Sequence, residues 1–370
     1  MQEKKKRILD LVEQGILTSE EALVLLERLN EKSGQEATKE RPFTEEKKEE
    51  EPFTNGSNKT FFDEVAKDLA QVGSQFMGFM KTAVDQVKDF DVKNAAMVHE
   101  TLQEERTFPV TDVERISFDL AHGDIAITSS EREDIRITYD VDVYTPMSKE
   151  EAEKHFARYV QAVVQKETLY VSSQWKLANV KVTLELPKKT YDRLHIGTNK
   201  GDVVIDHVTT RILNIDTVAG GVTVDAVDFT DSAIETKHGK VKVTNSIGRT
   251  LDVDTVNGEV SVHSSLEEVE LESTNGTVIF TATNRLRKLD IDTSLGAIEV
   301  YVPKTLAFKG EAETKIGQLD VRLDDIRYEK EEREFFQKEM KFVQDGVTDE
   351  AKIDLDTNVG TILIRHTTVE

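Results

Sequence analysis

The motif G-x-[VI]-x-[VI] and close variants recur nine times along the chain, usually preceded by T-x-x. From Gly201 to Gly317 the steps between successive motif glycines are 19, 19, 19, 18, 20 and 21 residues. A nearly fixed period of this size is typical of repeat architectures, in which one structural unit stacks on the next. The nine motif glycines are Gly123, Gly201, Gly220, Gly239, Gly258, Gly276, Gly296, Gly317 and Gly360.

The unit at residues 213–224 shows how one repeat is built. Leu213, Ile215 and Thr217 alternate with Asn214 and Asp216, which is the period of a strand with one buried face. With glycine at the corner and β-branched residues inside, each unit is predicted to be two short strands and a bend. Stacking such units at about 4.8 Å gives a mainly β fold, a parallel β-solenoid. An internal hydroxyl ladder is predicted at Thr217, Thr236, Thr255, Ser273, Thr293, Thr314 and Thr357.

A stack of antiparallel hairpins is the alternative architecture. Asn257-Gly258 and Asn275-Gly276 are recognised tight-turn signals. The equivalent pairs elsewhere, such as His-Gly, Leu-Gly and Val-Gly, fit such a turn poorly. The pattern therefore favours the solenoid.

Composition changes divide the chain into four parts. A capping box at Thr18 and Glu21 supports a helical hairpin in the first part, and the second is charged and almost without apolar residues. The predicted parts are a helical hairpin at 1–30, a flexible charged linker at 31–58, an amphipathic helix at 59–106, and the repeat domain at 107–370 with insertions at 144–187 and 324–350. Within the first insertion, a helix is predicted over 149–163.

The predicted amphipathic helix carries an apolar face rich in Phe and Met, which suits an adaptable contact surface. Three roles remain open for it: packing within the protein or an oligomer, peripheral contact with a membrane surface, or peptide binding. The candidate membrane or partner residues are Phe62, Leu69, Phe76, Met77, Phe79 and Met80.

The outward positions of the repeats carry a candidate acidic binding strip. If the units stack in register, its carboxylates line one face about 5 Å apart. Three explanations remain open: a solvated surface that prevents aggregation, capture of a cationic peptide or protein segment, and calcium binding. The residues are Asp252, Asp254, Glu270, Glu272, Asp290, Asp292, Glu311, Glu313, Asp354 and Asp356.

Composition excludes several classes of function. The net charge of -23 argues against a nucleic-acid partner, and the absence of cysteine excludes thiolate chemistry. No catalytic, cofactor-binding or metal-binding motif is present, so we predict a protein that is not an enzyme and holds no cofactor. A carbohydrate-active β-helix enzyme is a third alternative. No segment has the pattern of a signal peptide or a membrane span, which predicts a cytoplasmic or peripherally membrane-associated protein, with the cell surface as an alternative.

The repeat unit [LI]-x-[IVL]-[DE]-T-x-x-G-x-[VI]-x-[VI] resembles the LiaG-type adhesin repeat domain of Gram-positive bacteria. The leading segment RILDLVEQGILTSEEALVLLERL resembles the short helical module that accompanies that domain. Together they are similar to the YvlB/LiaX group over the whole chain. The resemblance implies a role in cell-envelope stress responses, including responses to cationic antimicrobial peptides, and no enzyme activity.

From these observations we expect a binding or regulatory protein that engages cationic peptides, envelope components or a signalling partner. The alternative is a cytoplasmic scaffold that forms homo-oligomers through its helices. Sedimentation behaviour independent of concentration would contradict that alternative.

Overall fold

The computed structural model describes residues 100–324, 326–333, 338–346 and 350–367. The predicted hairpin at 1–30, the linker at 31–58 and residues 59–99 of the predicted amphipathic helix lie outside them. Residues 100–106 were predicted to continue that helix, and this was wrong, because they belong to a strand, β1. In that strand Leu102 is buried at 5% exposure, and the whole strand pairs antiparallel with residues 134–143.

The described residues form 23 strands and one α-helix. The bounds are β1 Glu100–Pro109, β2 Arg115–Leu120, β3 Ile125–Ser130, β4 Asp134–Val143, α1 Lys149–Tyr159, β5 Val160–Gln165, β6 Thr168–Ser173, β7 Ala178–Pro187, β8 Thr190–Lys200, β9 Val203–Asp206, β10 Thr209–Ala219, β11 Val222–Asp225, β12 Asp228–His238, β13 Val241–Ile247, β14 Thr250–Asn257, β15 Val260–Ser265, β16 Glu268–Asn275, β17 Val278–Thr281, β18 Lys288–Leu295, β19 Ile298–Val302, β20 Phe308–Arg322, β21 Ile326–Arg333, β22 Lys338–Gln344 and β23 Ala351–His366.

The repeats form a solenoid-like array in which each coil contributes one strand to each of two faces. Ile215 lies opposite Ile234 on the first face, and Val222 lies opposite Val241 on the second, both in parallel pairs one repeat apart. The alternative of stacked antiparallel hairpins is therefore wrong for these repeats. Sheet A denotes the stack of β6, β2, β8, β10, β12, β14, β16, β18 and the first halves of β23 and β20. Sheet B denotes β7, β3, β9, β11, β13, β15, β17, β19 and the second halves of β23 and β20.

The alternating pattern places the core between the two sheets. Leu213 and Ile215 of sheet A are 0% and 1% exposed, and Val222 and Val224 of sheet B are both 0% exposed. The same inward positions in every coil join one continuous hydrophobic cluster. Burial of these side chains is the main stabilising contribution in the array.

The motif glycines stack in a column at the corner between the sheets, and each leaves no room for a side chain. A Cβ built on Gly258 would lie 1.8 Å from the carbonyl oxygen of Gly239. A Cβ on Gly239 would lie 1.9 Å from that of Gly220. Glycine therefore recurs because the backbones of successive coils touch at this corner.

The predicted hydroxyl ladder lies next to this corner inside the core. All seven predicted residues are buried, and Thr198 continues the ladder by one coil. Toward one end the hydroxyls hydrogen-bond to the next coil, as Thr293 Oγ1 does to Thr357 Oγ1 at 2.8 Å. The hydroxyls of Thr217 and Thr255 have no partner in the described part of the chain.

The last coil in the sequence is not the last coil in space. β23 pairs with β18 and β19 on one side and with β20 on the other. The repeat order along the sequence predicts this coil beyond the coil of Gly317, and that expectation is wrong. The outer side of β20 is taken by the antiparallel strand β22, so β23 enters the array on the inner side. The predicted insertion at 324–350 thus forms the hairpin of β21 and β22.

At the opposite end of the array, the outermost coil likewise comes from a later part of the chain than its neighbour. Within the predicted insertion at 144–187, β6 and β7 pair parallel with β2 and β3, so residues 168–187 form the outermost coil of the array. Antiparallel strands then extend both sheets: β4 and β1 beyond β7, and β5 beyond β6. The predicted helix at 149–163 ends at Tyr159 and begins with a capping box between Ser148 and Glu151.

Candidate functional site

The ten residues of the acidic strip lie in two rows on the outer face of sheet A. Successive strands are in register, so each carboxylate has another directly opposite it on the next strand. The first row runs Asp252, Glu270, Asp290, Asp354, Glu311. The second row runs Asp254, Glu272, Asp292, Asp356, Glu313.

The second row is longer than the sequence analysis predicted. Glu235 of β12 lies opposite Asp254, and Asp216 of β10 lies opposite Glu235. One strand further the row is interrupted by Gly197 of β8, and it resumes at Asp119 of β2. Seven consecutive strands, from β10 to β20, therefore each present a carboxylate in this row. We call these seven residues and Asp119 the acidic row.

Gly197 leaves a notch in the acidic row because it has no side chain. The notch is part of a shallow groove of about 370 Å³ on the face of sheet A. Asp119, Asp216, Glu235 and Asp254 supply four carboxylates to the groove, and Lys237 supplies one positive charge. A cationic group entering the notch would meet negative charge on two sides.

Burial and mutual repulsion act together on the carboxyls of the acidic row. Burial raises the pKa of Glu272, and the carboxylates of Asp254 and Glu270 raise it further. Burial likewise raises the pKa of Glu235, with added repulsion from Asp216 and Asp254. Each shift shows that the ionised state is less favourable in the folded protein than in water.

His195 lies at the edge of the notch, with its Nδ1 3.7 Å from Asp216 Oδ2. Burial lowers the pKa of His195 and outweighs the opposite effect of the Asp216 carboxylate. Burial also raises the pKa of Asp216 and of Asp119, and His195 offsets only part of each shift. The imidazole is therefore neutral at pH 7 and does not neutralise the notch.

The two rows differ in their counter-charges. In the first row, Lys288 lies 3.4 Å from Asp290, Lys352 contacts Asp354, and Lys341 lies 2.9 Å from Glu311. In the second row no lysine or arginine among the described residues lies within 4 Å of the central carboxylates, which are Glu235, Asp254, Glu272, Asp292 and Asp356. Lys315 is near enough to offset part of the raised pKa of Asp292 and Asp356.

The described residues contain no cluster of three or more His, Asp or Glu side chains arranged to hold a metal ion. The acidic row is linear, so its oxygens do not converge as a calcium site requires. What the arrangement offers is an extended negative surface with a groove, which suits electrostatic binding of a cationic partner.

The candidate membrane or partner residues of the amphipathic helix, from Phe62 to Met80, lie outside the described residues. Within the described part of the chain, no helix has both the length and the apolar character needed to span a bilayer.

Sequence reasoning missed Asp119, Asp216 and Glu235. The signal was present for the last two, because each directly precedes a ladder threonine, as Asp254 precedes Thr255. Their coils carry Asn214 and Ala233 at the other outward position, so they lack the acidic pair that marks the predicted strip.

The parallel array with its glycine corner defines the class of protein, a β repeat protein with a solenoid-like fold. The family described as Toastrack DUF4097 matches residues 113–365, and the chain belongs to that family. A second family, described as a SHOCT-like domain, matches residues 3–34, which overlap the predicted N-terminal helical module.

Among individual proteins, the chain is similar to YvlB of Bacillus subtilis (strain 168), an uncharacterized protein. The two are 30% identical over 353 residues, which cover 95% of this chain and 94% of that protein. The resemblance to YvlB-like proteins predicted from the repeat unit is thus confirmed.

Two crystal structures of proteins described as candidate adhesins also match. One, from Bacteroides fragilis, is 16% identical, covers 74% of this chain and all of that chain, and has a TM-score of 0.43. The other, from Parabacteroides distasonis, is 10% identical, covers 73% of this chain and 98% of that chain, and has a TM-score of 0.39.

Proposed function

We propose that this protein is a non-enzymatic binding protein whose acidic row captures cationic ligands during cell-envelope stress. The ligand class is a cationic peptide, such as an antimicrobial peptide, or a basic segment of a signalling partner. The observation that carries the proposal is the run of central carboxylates, from Glu235 to Asp356, that has no lysine or arginine within 4 Å among the described residues.

The repulsion between carboxylates in the acidic row supports a binding function over a purely structural one. Like charges directly opposite each other on a sheet are unfavourable, and the raised pKa of Glu235, Asp252 and Glu272 reflects that repulsion together with burial. A cationic ligand relieves this repulsion when it binds. Part of its binding free energy therefore comes from removing the repulsion between carboxylates that exists in the unbound protein.

The groove gives the ligand a point of attachment. A lysine or arginine side chain fits the notch at Gly197, where Asp119 and Asp216 flank it and His195 is neutral. Further cationic residues of an extended ligand then follow the row, one carboxylate about every 5 Å.

The test is a salt titration of binding, with a fluorescein-labelled nonapeptide of alternating lysine and alanine as the probe. We expect its affinity for the full chain to fall at least tenfold between about 50 and 500 mM salt, because screening shortens the Debye length from about 14 to about 4 Å. A matching glutamate–alanine peptide is the control and should not bind.

Two variants with the same net charge separate the acidic row from the overall charge. The row variant neutralises Asp216→Asn, Glu235→Gln, Asp254→Asn and Glu272→Gln. The matched control neutralises four exposed carboxylates elsewhere, Glu104→Gln, Glu133→Gln, Glu150→Gln and Glu153→Gln. Loss of binding in the first alone supports the proposal; equal binding by both, or affinity insensitive to salt, contradicts it.

This function also requires the protein to meet its ligand in the cell. Protease treatment of intact cells, with a cytoplasmic protein as control, distinguishes the two settings. Digestion of this protein alone indicates capture of peptides at the surface, whereas protection until lysis indicates a basic protein partner in the cytoplasm.

A further inference from the structure

The two sheets end differently at the C-terminal end of the array. Sheet A is continued past β20 by the antiparallel strands β22 and β21. β22 pairs only with residues 308–314 of β20, so residues 316–322 have β23 on one side and no described strand on the other. We call residues 317–322 the open edge. At the other end of the array, both sheets are continued by antiparallel strands.

The backbone of the open edge points its hydrogen-bonding groups outward. In interior coils the amide two residues after the motif glycine donates to the next coil, as Val203 N does to Gly221 O at 2.8 Å and Val241 N to Glu259 O at 2.9 Å. In β20 this position is Leu319, and strand alternation gives Val321 the same direction. Both amides therefore face the side where no described strand lies.

The corner of this coil shows what a further coil would have contacted. In each interior coil the carbonyl oxygen of the motif glycine faces the glycine of the next coil. At Gly317 the same carbonyl accepts a hydrogen bond from the ammonium group of Lys338 instead. The corner is thus capped, while the strand that follows it is not.

The core beneath the open edge is incompletely covered. Leu319 and Val321 are only partly buried, whereas Ile362 and Ile364, which lie opposite them on β23, are both 0% exposed. A slot of about 250 Å³ lies beside the edge. It is lined by Gln318, Leu319, Asp320, Glu332, Lys338 and Met340. A strand added here would place its inward side chains over the exposed core.

Charge at the open edge favours an acidic side chain in that strand. Arg322 lies opposite Arg365, and like charges in that position are unfavourable. Arg322 donates to Asp320 at 2.8 Å, which leaves Arg365 without a carboxylate within 4 Å among the described residues. The Arg365 Nε is buried and has no hydrogen-bond partner there.

We propose that the open edge is a β-augmentation site for an extended segment of a partner protein. The segment adds a strand to sheet B, packs aliphatic residues at alternate positions against Leu319 and Val321, and places an acidic residue beside Arg322. Main-chain hydrogen bonds supply affinity in this mode, and the alternate side chains supply specificity. A second copy is the less suitable occupant, because each copy carries a net charge of -23.

The probe is the peptide fluorescein-GTVTVEVT-amide, whose single glutamate is placed for Arg322, added to the full chain and followed by fluorescence anisotropy. We expect saturable binding, and slower hydrogen exchange at the amides of Leu319 and Val321 when the peptide is present. A peptide with proline in place of the central valine should not bind, because it lacks a required N–H. Equal binding of both peptides, or unchanged exchange at the two amides, would overturn the proposal.

A charge exchange tests the acidic position. Arg322→Glu should weaken the glutamate peptide at least tenfold, and a peptide with lysine in place of its glutamate should recover binding to that variant. Arg249→Glu, an exposed arginine of another coil, is the matched control and should bind like the unchanged protein. Failure of the lysine peptide to recover binding contradicts the proposal. So does a dimer, seen in sedimentation without peptide, that Arg322→Glu abolishes.

Discussion

Glu272→Gln tests whether the acidic row costs stability, as its geometry requires. Glu272 has Asp254 opposite it on one side and Asp292 on the other. At about 4.8 Å each repulsion amounts to about 0.9 kcal/mol in water, and about 0.15 M salt halves it. Because the side chain is exposed, these values for water apply, and the two neighbours together give an expected gain of about 0.5–1 kcal/mol at pH 7. The melting temperature should rise by about 1–3 °C.

The pH dependence gives this prediction its sign. The pKa of Glu272 is raised in the folded state, so the folded protein binds more protons than the unfolded chain as pH rises through the titration of this carboxyl. Stability attributable to this group therefore falls with rising pH, from the unfolded pKa of about 4.3 to the higher folded pKa. At about pH 3 both states are protonated and Glu272→Gln should change nothing.

The assay is thermal unfolding followed by circular dichroism at pH 3 and pH 7. Glu268→Gln is the matched control, because Glu268 is exposed on the same strand but lies opposite Lys288. That control should lose a few tenths of a kcal/mol at pH 7. A Glu272→Gln variant that is no more stable at pH 7, or equally stabilised at pH 3, would refute the repulsion argument.

Two pairs of substitutions test the glycine corner and the buried hydroxyls by the same unfolding measurement. Gly258→Ala should destabilise by at least about 3 kcal/mol, because its Cβ would lie 1.8 Å from the carbonyl oxygen of Gly239. Gly197→Ala, whose nearest atom would be 3.4 Å away, should cost less than about 1 kcal/mol, and similar losses in both would contradict the corner contact. Thr255→Val should stabilise by about 1 kcal/mol, since its buried hydroxyl has no partner in the described structure. Thr293→Val should instead cost about 1 kcal/mol by breaking a 2.8 Å hydrogen bond, and equal effects would refute the distinction.

The coil could be predicted from the sequence because its determinants are local. Alternation from Leu213 to Thr217 assigns the inward face, and Gly220 marks the corner where two backbones meet. The order of coils could not be predicted in the same way. Residues 308–322 and 351–366 carry equivalent inward residues and equivalent glycines, so either coil fits against β18. The choice depends on pairing between β20 and β22, which are separated in sequence and carry no repeat signal.

In the candidate site, too, the local features could be predicted from the sequence and the features that depend on long-range pairing could not. In-register stacking of the predicted carboxylates followed from the repeat period once parallel coils were assumed. The notch at Gly197 and the contribution of Asp119 did not, because residues 121–189 separate β2 from β8 in the sequence. The open edge was also hidden, since it depends on where β22 ends rather than on the residues of β20.

The placement of charge supports the proposed binding role of the acidic row over a role in solubility. A soluble surface needs charge of either sign, well mixed. The outer face of sheet B has no run of like charges at this position, because Thr223, Lys242, Ser261 and Ile279 succeed one another across four coils. Sheet A of the same coils instead concentrates one sign in one row, where each carboxylate opposes the next. Mixed charges would make the surface equally soluble. The row of like charges also makes folding less favourable, because opposed carboxylates repel each other. A continuous negative surface that lowers stability is expected where a cationic partner binds. The Glu272→Gln variant measures the effect of the row on stability, and the row variant measures its effect on binding.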